Sequence, residues 1–127
     1  MRKVKMVEGE NRHIGDEYAD AIAHFYEIIT EVAKKYIDLS RYEIWTENWA
    51  DVVNEGLPVE YHVQYLDVIL IDKATKREKL IGRIDIGDDE DLTEEERDNE
   101  YIMLYDDDDI REAAEELFAE WAKEVEA

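Results

Sequence analysis

Apolar positions in the first third of the chain recur at helical spacing. Ile14, Tyr18, Ile22, Phe25, Ile29, Val32 and Tyr36 fall three or four residues apart and make one stripe. The pattern predicts a helix from Asp16 to about Asp38. A second helix is expected from Ser40. Ser40 and Glu43 have capping-box spacing, and Ile44, Trp45, Trp49, Val52 and Val53 then share a face. Gly56 and Pro58 would close that helix near Glu55. Ahead of both, Val4, Met6 and Val7 suggest a short strand or an ordered arm.

The period then changes. Val59, Tyr61, Val63 and Tyr65 alternate with Glu60, His62 and Gln64, as in a half-buried strand. From Leu66 to Ile71 both faces are apolar except at Asp67, so this end is expected to be covered on both sides. Asp72 to Glu78 reads as a hairpin turn before a second strand from Lys79 to Ile86. Thr93-Glu94-Glu95-Glu96 repeats the capping-box spacing and predicts a short helical turn within Gly87 to Glu100. Tyr101 to Tyr105 is a short strand. Asp109 is the expected N-cap of a last helix whose Ile110, Ala113, Ala114, Leu117, Phe118, Trp121 and Val125 lie on one face. The expected fold is therefore α+β: a three-stranded antiparallel sheet with two N-terminal helices and one C-terminal helix packed mainly on one face.

Composition supports a packed domain. The 127 residues are 45% hydrophobic and 10% aromatic, enough for one domain over 1–127 that buries roughly two thirds of its unfolded surface. With no cysteine, disulfides, thiolate nucleophiles and Cys-ligated zinc are excluded. Neither a signal peptide nor an apolar run of membrane length is legible, so a cytoplasmic location is expected, the host cytoplasm if the chain is phage-encoded.

Charge changes the picture most. The net charge is −21, and residues 84–127 carry −17 of it, with 20 acids against 3 bases. Self-repulsion makes so local an imbalance costly, and it should repel nucleic acid and anionic membranes while attracting basic proteins. Adaptation to high salt would spread the acids over the whole surface, whereas the first two thirds are nearly balanced. The acids fall in two clusters. Asp88, Asp89, Glu90, Asp91, Glu94, Glu95, Glu96, Asp98 and Glu100 occupy one connection, and Asp106, Asp107, Asp108 and Asp109 form the second. Glu112 and Glu116, with Glu115, Glu120 and Glu124, extend the field along the last helix. Tyr101, Tyr105 and Trp121 are the aromatic residues placed to add contacts to a partner.

Catalytic signatures are weak. The single serine, Ser40, has no nucleophile elbow or partner histidine around it. Asp20, His24, Glu27 and Glu31 share a helix edge, but a di-iron bundle needs such groups from several helices, so a solvated face is the better reading. An EF-hand loop starting at Asp85 fails at Gly87 and Glu90, where a ligand and a glycine are required. Lys73, Lys76, Arg77 and Lys79 suit turn solubility and edge protection. No cofactor and no metal are expected.

In size, in charge and in the order strand, strand, strand, helix over its last two thirds, the chain resembles the acidic DNA-mimic proteins that phages use against restriction or CRISPR nucleases. The resemblance implies a class of partner and assigns no individual residue. The leading expectation is a non-enzymatic inhibitor that imitates phosphate charge. Its partner would be a basic nucleic-acid-binding protein, such as a nuclease effector complex, with no direct nucleic-acid or membrane binding. The alternatives are an immunity protein that neutralises a toxin nuclease, and a structural component whose acidity serves solubility.

Overall fold

The computed structural model describes residues 1–53 and 60–126. The elements in chain order are β1 (Arg2–Lys5), β2 (Val7–Glu8), β3 (His13–Ile14), α1 (Asp16–Ala33), β4 (Tyr42–Val53), β5 (Tyr61–Asp72), β6 (Glu78–Asp88), α2 (Glu94–Asp98), β7 (Tyr101–Leu104) and α3 (Asp107–Glu126). The fold is α+β, with a five-stranded antiparallel sheet in the order β1-β7-β6-β5-β4 and β2-β3 as a separate pair. This corrects the expected three-stranded sheet and the expected second N-terminal helix.

The largest correction concerns Tyr42 to Val53, expected to be helical and folded as β4. It pairs with β5 in unbroken register from Tyr42↔Asp72 to Val53↔Tyr61. Its residues are rich in Tyr, Trp, Ile, Thr and Val, which suit a pleated surface better than a helix. Ile44, Thr46 and Asn48 face inward, while Trp45 and Trp49 face outward. Apolar residues on both faces of a strand imitate helical spacing. The Ser40–Glu43 capping box does not form. The Ser40 hydroxyl donates instead to Asp38 Oδ1 at 2.6 Å, and its N–H reaches the same atom at 3.0 Å. The expected helix end at Glu55 to Pro58, with Val59 after it, lies outside the described residues, and so does the side chain of Val125.

Other boundaries shift. α1 ends at Ala33 rather than near Asp38, and turns carry the chain to β4. Ile14, expected on the helical stripe, belongs to β3 and is exposed. α3 begins at Asp107, so Asp109 sits in its first turn instead of capping it. The N-terminal arm is β1, an edge strand pairing from Arg2↔Leu104 to Lys5↔Tyr101.

The core lies between one face of the sheet and the helices. Ile29 of α1, Leu66 and Val68 of β5, Ile84 and Ile86 of β6, Ile102 and Leu104 of β7, and Ile110 and Phe118 of α3 are almost wholly buried in one cluster. Tyr18 and Tyr26 fix α1 over the β4-β5 hairpin. The Tyr18 hydroxyl lies 2.8 Å from Asn48 Oδ1 and 3.0 Å from Gln64 Oε1, and Tyr26 donates to the Ile44 carbonyl at 2.8 Å. Gly82, at φ 153°, lets β6 come against α3; a Cβ there would stand 2.3 Å from Leu117 Cδ1.

The opposite face of the sheet is not the covered surface expected for Leu66 to Ile71. Ile69 and Ile71 are only half-buried, Trp45 and Trp49 are each 53% exposed, and Leu80 is 59% exposed. Among the described residues, no helix is long and apolar enough to cross a membrane.

Candidate functional site

The acidic connection after β6 is ordered by its own hydrogen bonds. Thr93 and Glu96 form the reciprocal capping box that starts α2, with Glu96 N–H to Thr93 Oγ1 at 3.2 Å and Thr93 N–H to Glu96 Oε1 at 3.0 Å. Arg97 folds back, donating from Nε to the Asp89 carbonyl at 2.9 Å and from its terminal nitrogen to the Glu90 carbonyl at 2.8 Å. Asp89 is only 7% exposed. Its carboxylate accepts the His62 N–H at 2.6 Å and lies 3.3 Å from His62 Nδ1. Asp89 is therefore a brace between the loop and β5, and offers little charge to a partner. Asp88 accepts the Tyr105 hydroxyl at 2.8 Å and the Glu90 N–H at 3.2 Å. Burial, then this bond to Asp88, pushes the Tyr105 phenol well above its usual range.

Several of the acids are neutralised by cations from distant parts of the chain. Lys3 pairs with Glu96, Arg12 with Glu100, and Lys35 with Glu115. The Met1 ammonium reaches Asp106 at 2.9 Å, and His24 Nε2 lies 2.7 Å from Asp107 Oδ2. The hydrogen bond from Lys3, with help from the Thr93 backbone, pulls the Glu96 carboxyl down to about 2. Lys35 and the Tyr36 hydroxyl likewise lower that of Glu115. β1 lies beside β7, so its Lys3 and the ammonium before it meet the acids at the two ends of β7.

A second set of acids keeps its charge open. Glu90, Asp91, Glu94, Glu95 and Asp98 are exposed, as are Asp109, Glu112, Glu116, Glu120 and Glu124 on α3, and none has an ion-pair partner among the described residues. Asp108 is 98% exposed, with Arg111 at 3.4 Å. At about 100° per residue, Asp109, Glu112, Glu116 and Glu120 fall within a stripe roughly 80° wide, on the side of α3 away from Ile110, Ala114 and Phe118. Their axial run is about 16 Å at 1.5 Å per residue. The α2 cluster stands at the other end of β7, a strand about 13 Å long, so the two clusters are separate.

The aromatic expectations divide. Tyr101, Tyr105 and Trp121 are all half-buried; Lys3 Nζ sits 5.3 Å from the Tyr101 ring centroid, Tyr105 is bonded to Asp88, and Trp121 packs on the core. The aromatics that sequence reasoning missed are Trp45 and Trp49, assigned to a helix face and found on an open strand. The signal available is the richness of Tyr42 to Val53 in Tyr, Trp, Ile, Thr and Val, which favour a strand.

Asp20, His24, Glu27 and Glu31 are exposed along α1. Asp20 and His24 border a cleft of ≈ 520 Å³ with Arg2, Tyr105, Asp106 and Asp107. Among the described residues, no group of three or more His, Asp or Glu side chains is arranged to hold a metal ion. No protein-family profile matches the chain, and comparison with curated proteins and with solved structures gives no significant match.

Proposed function

We propose that this protein is a non-enzymatic acidic inhibitor that occupies the nucleic-acid-binding surface of a basic partner by imitating phosphate charge. The observation that carries the reading is the α3 stripe of exposed, cation-free carboxylates. From Asp109 to Glu120, ahead of Lys123, it offers one charge per about 5–6 Å of helix axis. One strand of a DNA duplex carries one per about 3.4 Å, so the stripe comes within a factor of two. A helix holds these charges in fixed positions, which a disordered acidic tail would not do. The α2 cluster adds Glu90, Asp91, Glu94, Glu95 and Asp98 at the other end of β7, whereas Asp89, Glu96, Glu100 and Asp106 are occupied within the fold and contribute least. Long-range attraction of this kind speeds association and weakens with salt.

The test is affinity capture from nuclease-treated host lysate at moderate salt. Three proteins are compared: wild type, a variant with Glu112, Glu116 and Glu120 changed to Gln, and a variant with amides at Glu90, Asp91, Glu94, Glu95 and Asp98. One basic nucleic-acid-binding protein held by wild type, lost from the α3 variant and displaced by duplex DNA supports the inhibitor. Capture that all three share equally, or that added DNA leaves unchanged, overturns it.

A further inference from the structure

β4 is an edge strand of twelve residues. Strands commonly run from about three to ten residues, and exposed edges are usually kept short, because their free N–H and C=O groups invite another strand. Among the described residues, this edge is covered at its start, where Tyr26 bonds the Ile44 carbonyl. Among the described residues, no strand pairs with the outer side of β4. Its outward face reads Glu43, Trp45, Glu47, Trp49, Asp51, so acids alternate with two half-exposed indoles.

The occupant can be argued from charge. Between Tyr42 and Val53 there are three acids and no Lys or Arg. A second copy of the chain would bring the same acids and a net charge of −21 to this edge, which disfavours self-pairing. Arg83 of β6 already shows what the face accepts. Its guanidinium lies 4.2 Å from the Tyr65 ring centroid, pairs with Asp51, and has Nε 3.3 Å from Asp85. Toward Trp45, Glu47 and Trp49 a similar combination of ring and carboxylate is present: Glu47 Oε2 accepts the Trp49 indole N–H at 3.3 Å, and among the described residues no Lys or Arg pairs with Glu43 or Glu47 or stacks on either indole.

We propose that the outer edge of β4 is a docking strand for an extended, arginine-bearing segment of a partner protein. The segment adds a sixth strand beside β4 through main-chain hydrogen bonds, and its arginines lie over Trp45 and Trp49 while pairing with Glu43 and Glu47. The inference goes beyond the inhibitor reading and does not depend on the α3 stripe.

The probe is an eight-residue peptide of alternating Arg and Val, capped at both ends, added to the full chain at moderate salt. Binding is followed by tryptophan fluorescence and by amide resonances. The peptide should shift the Thr46, Asn48 and Ala50 amides. Methylating alternate backbone nitrogens of the peptide, which keeps its charge and removes strand pairing, should weaken binding about tenfold or more. The Trp45→Thr, Trp49→Thr double variant, checked for retained fold by circular dichroism, should lose a similar factor. The variant with Gln at 112, 116 and 120 should bind within about twofold of wild type, since its changes leave β4 untouched and screening weakens distant charges. Equal binding of the methylated peptide, or loss of binding in the α3 variant, means charge attraction alone and overturns the proposal. Absence of binding overturns it too, and leaves the acids as edge protection. A concentration-dependent dimer that shields the β4 amides would assign the edge to a second copy instead. The α3 reading itself is decided separately, by the capture experiment.

Discussion

Replacing Tyr18 by Phe should change stability in opposite directions at neutral and alkaline pH. Tyr18 is 3% exposed, and its one hydroxyl proton serves Asn48 Oδ1 at 2.8 Å and Gln64 Oε1 at 3.0 Å. Without the hydroxyl, Gln64 Oε1 keeps the N–H donated by Asn48 Nδ2 at 3.3 Å, and Asn48 Oδ1 is left to whatever water reaches it. Asn48 is open to solvent, so the expected loss near pH 8 is about 1 kcal/mol. Burial pushes the Tyr18 phenol up to about 12, against an ordinary value near 10. The folded state thus holds this proton more tightly than the unfolded chain. The resulting stability is fully present below about pH 10 and is lost as pH rises toward 12. By about pH 11 the loss amounts to roughly 1.4 kcal/mol, since the unfolded tyrosine is then mostly ionised and the folded one is not. The advantage of wild type over Tyr18→Phe should therefore shrink from about 1 kcal/mol to zero or slightly below. Urea unfolding followed by circular dichroism, run on both proteins from about pH 8 to about pH 11, measures it. Tyr36 and Tyr105, whose phenols are also raised, are common to both proteins and cancel in the difference. A difference that stays constant across the range refutes the buried, proton-holding Tyr18.

Three further outcomes are expected. Lys3→Met removes the main cause of the depressed Glu96 carboxyl; that contribution is complete above about pH 4.5 and disappears as pH falls toward 2, so the variant should show a flatter acid limb in urea titrations than wild type. Asp89→Ala leaves the His62 N–H without its acceptor, at a cost of about 1–3 kcal/mol, and hydrogen exchange at His62 and Leu92 should quicken while α1 amides keep their protection. Gly87→Ala would set a Cβ 2.4 Å from the Met103 carbonyl oxygen, forcing β6 and β7 apart; a loss of about 1–3 kcal/mol or more is expected, and an unchanged urea midpoint would contradict the register Gly87↔Leu104.

The readable elements were those with one period and one apolar face. α1, the start of β5 and α3 show it, and α2 announces itself by Thr93 and Glu96. β4 misled because Ile44 points in while Trp45 and Trp49 point out, so spacing alone satisfied a helix; weighing Tyr, Trp, Thr and Val as strand formers would have favoured the other answer. The pairing of β1 with β7 joins residues about a hundred positions apart, and local patterning carries no information on such a register. The same separation hid part of the candidate site. Composition located the acids, but Lys3, Arg12, Lys35 and the Met1 ammonium neutralise some of them from across the fold. Asp89 stands in an acidic run that marks it as surface charge, yet the fold buries it as a brace.

The β1–β7 pairing also sets the order in which the molecule can be made. β4, β5 and β6 follow one another and can associate while the chain is still emerging from the ribosome, but Arg2 to Lys5 must wait for Tyr101 to Leu104. Closing a loop of about a hundred residues costs roughly 4 kcal/mol of chain entropy, against about 1.6 kcal/mol for a hairpin turn of about six. The N-terminal strand should therefore dock last, after α3 has covered the hydrophobic cluster, and the final step of folding brings Lys3 to Glu96. Until then Glu96 and Asp106 lack the Lys3 and Met1 cations, and the added negative charge helps keep the partly folded chain in solution while its sheet is still open at both edges.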